Sequence, residues 1–62
     1  MIKEYDLVMA VKDLSSMVLK GCKGVVVMAY DSPSPGYEVE FVNDANETIA
    51  VLTVNPDDIV KS

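Results

Sequence analysis

The 62 residues carry ten acids, five lysines, no histidine and one cysteine, for a net charge of −5, and are expected to form a single domain spanning 1–62. Without histidine, and with Cys22 alone, the usual zinc sites and any disulfide within the chain are excluded. A chain this short buries only about 60% of its unfolded surface, so its folding margin is thin despite an apolar content of 50%.

The opening Met-Ile-Lys-Glu-Tyr-Asp has no signal-peptide apolar core, and no run reaches the ~20 apolar residues of a membrane span. A cytoplasmic protein is expected. Tyr5 to Val11 reads as a first strand, with Leu7, Met9 and Val11 on one face and Asp6, Val8 and Ala10 on the other. From Lys12 to Lys20 the pattern is ambiguous. Leu14, Met17 and Val18 have helical spacing, with Asp13 placed to cap a start and Gly21 to end it. Two turns of isolated helix are marginal, so a long loop is expected, with Leu14 and Leu19 tucked under the sheet.

Gly21 and Gly24 are expected to form a tight structural turn, because glycine takes positive φ at little steric cost. Val25 to Tyr30 then reads as a strand, since β-branched side chains suit a pleated surface. Asp31-Ser32-Pro33-Ser34-Pro35-Gly36 is a loop. Tyr37 to Val42 alternates Tyr37, Val39 and Phe41 with Glu38 and Glu40, so one face is buried and one is wet. Asn43 to Glu47 makes a turn, Thr48 to Val54 a further strand, and Asn55-Pro56-Asp57-Asp58 a single 3₁₀ turn before a closing strand, Ile59 to Lys61. Five short strands around one core predict an all-β, five-stranded SH3-like barrel with one long early loop.

Ile2-Lys3-Glu4-Tyr5-Asp6, Gly21-x-x-Gly24-x-Val26-Val27, Tyr37-Glu38-Val39-Glu40-Phe41 and Asp58-Ile59 together span nearly the whole chain. In their order and spacing the chain resembles a family of short bacterial proteins, common in cyanobacteria, classed as a domain of unknown function. The resemblance implies an SH3-like barrel and members encoded beside other small proteins, but no chemistry. Two features depart from it: Cys22 stands at a typically acidic position, and the Pro33-Ser34-Pro35 loop is longer and richer in proline. The turn from Gly21 into the strand is also similar to the KOW motif of nucleic-acid-binding barrels.

Catalysis is not expected. The usual general base and the best anion clamp are both missing, and Glu38 and Glu40, two apart on a strand, read as a solvated face. No catalytic, cofactor-binding or metal-binding residues are assigned: Asp44, Glu47, Asp57 and Asp58 lack EF-hand spacing. Lys20 and Lys23 lie close in sequence to Cys22 and would favour its thiolate, but a lone cysteine in a turn is expected to be incidental rather than a redox site. Lys12, Lys20 and Lys23 offer a small basic corner, but the acidic balance makes a nucleic-acid partner unfavourable.

Protein binding is therefore the leading expectation. A small barrel has one interior, so either Val25, Val27 and Ala29 or Val26, Met28 and Tyr30 must face outward. The same surplus recurs at Ile49 to Leu52. Val25, Val27, Met28, Tyr30, Ile49 and Val51 are the candidate interface, for a homo-oligomer or a neighbouring protein. An acidic antitoxin or immunity protein for an adjacent toxin is the alternative, with a KOW-like module behind it. No membrane and no small-molecule substrate are expected.

Overall fold

A computed structural model describes residues 2–62. Five antiparallel strands, β1 (Leu7–Ala10), β2 (Lys23–Tyr30), β3 (Gly36–Val42), β4 (Thr48–Val54) and β5 (Ile59–Lys61), form one sheet in the order β4-β3-β2-β1-β5. A 3₁₀ turn, Pro56–Asp58, joins β4 to β5. The buried core is Val8, Ala10, Val18, Val26, Val39, Phe41, Val54 and Ile59. Val54 and Ile59 come from the two outermost strands yet share that core, so the sheet curls into a small barrel-like wrap.

The alternation in Gly36–Val42 holds. Val39 and Phe41 are fully buried, Tyr37 packs partly against the core, and Glu38 and Glu40 face the other way. The first strand is shorter than expected, because Tyr5 takes φ +70 and ends the extended run. A helix does not form across Lys12 to Lys20. Instead Asp13 Oδ1 accepts from the Lys20 amide at 2.8 Å, and Leu14 N donates to Val18 O at 2.8 Å. The Ser15 hydroxyl accepts from the amides of Met17 and Val18. That turn drives Val18 into the core beside a partly buried Leu14, and leaves Leu19, expected inside, 54% exposed.

Gly21 takes φ +93 and does turn the chain, whereas Gly24 is a buried strand residue. Its small size serves close approach. A Cβ there would stand 2.8 Å from Val39 Cγ1 and 2.9 Å from the Glu40 carbonyl oxygen.

Candidate functional site

The two alternating sets of β2 do not survive intact, because the strand is bulged. Val26 pairs with Val39 and Met28 with Glu38, so Val27 is an extra residue. Before the bulge Val26 faces in and Val25 out; after it Met28 is out, 47% exposed. A second bulge lies in β4: Phe41 pairs with Ala50 and Val42 with Thr48, leaving Ile49 over. Ile49 is partly buried against the core, so it is not part of the outer face that the sequence suggested.

What faces outward is a row in register across four strands. Leu7 pairs with Val25, Val25 with Glu40, and Glu40 with Val51. Leu7 is 64% exposed and Val51 53%, and both belong to strands whose alternate residues fill the core. Beside that row, Met9 pairs with an exposed Val60 on β5. Glu40 interrupts the apolar surface, but its carboxylate accepts from Thr48 Oγ1, and Glu38 accepts from Thr53 Oγ1 at 2.6 Å. Each carboxylate is thus tied to a neighbouring hydroxyl. Leu7 and Val60 were missed as candidates; the alternation of Val8 and Ala10 in β1 was the available signal for the first.

The remaining candidate, Tyr30, belongs to a different surface. Tyr30, Tyr5 and Tyr37 line one open groove of about 680 Å³ with Pro35, Glu4 and Asp31. Tyr5 reaches it because its amide donates to Val26 O at 2.5 Å while Val26 N donates to Asp6 O at 3.0 Å. The Glu4 carboxylate meets the Ala29 amide at 3.4 Å. A tyrosine held at positive φ is uncommon, and nothing local in the sequence announces it.

Cys22 is half-buried, and its Sγ lies 3.5 Å from the Val42 carbonyl oxygen. Burial, and then the negative charge of Asp44, push its thiol above the ordinary range. The flanking lysines therefore do not make it a ready thiolate. Lys12 Nζ lies 3.0 Å from Asp58 Oδ1, which ties one corner of the expected basic cluster to an acid. Among the described residues no group of three or more acids and cysteines could hold a metal ion, and no helix is long and apolar enough to cross a membrane.

No curated protein and no solved structure matches this chain. A family model does match, over residues 4–61, and its coverage takes in all five strands and the three tyrosines of the groove. The chain belongs to the family described as Domain of unknown function (DUF4926).

Proposed function

We propose that this protein is a small, non-enzymatic interaction module that associates with itself or with a neighbouring protein. The observation that carries the reading is the row Leu7–Val25–Glu40–Val51, where three apolar side chains lie on the solvent side of the sheet. Water-facing apolar side chains in register on β1, β2 and β4 are what a binding partner would cover. The half-buried single thiol suits the reducing cytoplasm, and the wrap of strands suits an SH3-like barrel. The pairing of Lys12 with Asp58 leaves Lys20 and Lys23 against ten acids, which weighs against a KOW-like role.

Light scattering through a dilution series, for wild type and Val51→Lys, tests the reading. A mass above that of the 6.7 kDa chain, reduced in the variant, is expected. A wild-type monomer at every concentration that also binds no product of the adjacent reading frames would refute it.

A further inference from the structure

The sheet has two edges, and they are unequal. β5 is three residues long and carries Lys61, and Ser62 N, donating to Leu7 O at 2.8 Å, extends its pairing with β1 by one residue. β4 is seven residues long, Thr-Ile-Ala-Val-Leu-Thr-Val, with no charge and no proline. It pairs with β3 alone, and among the described residues no backbone hydrogen bond reaches its other side. Only Val54, at its end, is fully buried. Natural sheets blunt such an edge with lysine, proline or a covering segment, and the bulge at Ile49 is the single such device here.

We infer that β4 is a docking edge for a second copy of this chain, joined by antiparallel β4–β4 pairing about a two-fold axis at Val51. This rests on the interaction reading above and names its partner and geometry. Strand overlap selects the register. Centring on Val51 overlays the whole strand, setting Thr48 opposite Val54, Ile49 opposite Thr53 and Glu47 opposite Asn55. A shift of the centre to Leu52 would set Thr48 opposite Pro56, which has no amide to donate. The two Val51 side chains meet on the outer face, so each covers the other's exposed apolar surface. Two chains of −5 repel, so added salt strengthens this dimer.

The test is disulfide trapping in a Cys22→Ser background, with Val51→Cys, Thr53→Cys and Leu7→Cys chains oxidised at equal concentration. Opposed Val51 positions bring their Cα atoms to about 4.5–5.5 Å, within disulfide reach. Two Thr53 positions would lie about 13 Å apart along the strands, out of reach. Val51→Cys is expected to form covalent dimer at least an order of magnitude faster than either other variant. An equimolar mixture of Ala50→Cys and Leu52→Cys, which this register sets opposite each other on the core side of the strand, is expected to give the mixed dimer, which checks the register independently. Preferential trapping of Leu7→Cys, or a dimer by light scattering that Val51→Cys does not trap, would overturn the edge pairing and leave the interaction reading standing. A monomer throughout, with no bound partner, would overturn both.

Discussion

Gly24 lies directly opposite Phe41, and Phe41 Cδ1 comes within 3.0 Å of the point where a Gly24 side chain would begin. This contact lets β2 and β3 approach closely at the floor of the core. It also brings Val25, the neighbour of Gly24, into register with Glu40 on the outer face.

Gly24→Ala should therefore destabilise the fold by roughly 1–3 kcal/mol, the usual cost of overpacking a filled site. Val39 Cγ1 can shift, but the Glu40 carbonyl is backbone and cannot move without disturbing the ladder. Gly21→Ala meets no atom within 4 Å, so its cost of about 1 kcal/mol would come from positive φ alone. Urea midpoints of the two variants measure this. A neutral Gly24→Ala would remove the close-approach account.

Much of this was legible beforehand. Glu38 and Glu40 mark the wet side of β3, and Asn55-Pro56 marks the 3₁₀ turn, because each signal is local. The side of β2 that faces out was not legible, since it depends on a bulge at Val27 that only the pairing with β3 reveals. Val18 replaced Leu19 in the core for a related reason: hydrogen bonds from Ser15 and Leu14 set the loop's direction, and hydrophobicity alone does not. Of the candidate interface, Val25, Met28 and Val51 emerged on the outer face, while Ile49 went to the core margin and Tyr30 to the groove. The groove was invisible in the sequence, because its three tyrosines are brought together by the turn at Tyr5 and the two strands beyond it.

Asp58 fastens the 3₁₀ turn and the long loop together. Its Oδ2 accepts from Asn55 N at 2.9 Å and its Oδ1 faces Lys12. The Asn55 amide, then Lys12, hold its carboxyl below the ordinary range, with partial burial opposing them. A depressed native pKa contributes stability in full above the unfolded value of about 3.9, lost as pH falls through the native one. Asp58→Asn should cost about 1 kcal/mol at neutral pH, and its urea midpoint should converge on that of wild type in acid. A gap between the two that is the same at both pH extremes would contradict this assignment.

The Cys22 thiol should react slowly with iodoacetamide near neutral pH, because burial and Asp44 both disfavour the thiolate. Asp44→Asn removes the nearby negative charge while leaving the burial in place. The rate–pH profile should move toward lower pH in that variant. An unchanged profile would mean that Asp44 does not act on the thiol.

The central claim is that the β4 edge, with Val51 on its outer face, is where this protein meets another chain. Backbone amide NMR spectra recorded through a dilution series report on each residue separately. The account predicts concentration-dependent shifts concentrated at Thr48–Val54, growing with added salt. Spectra independent of concentration, or shifts confined to Tyr5, Tyr30 and Tyr37 in the groove, would contradict it.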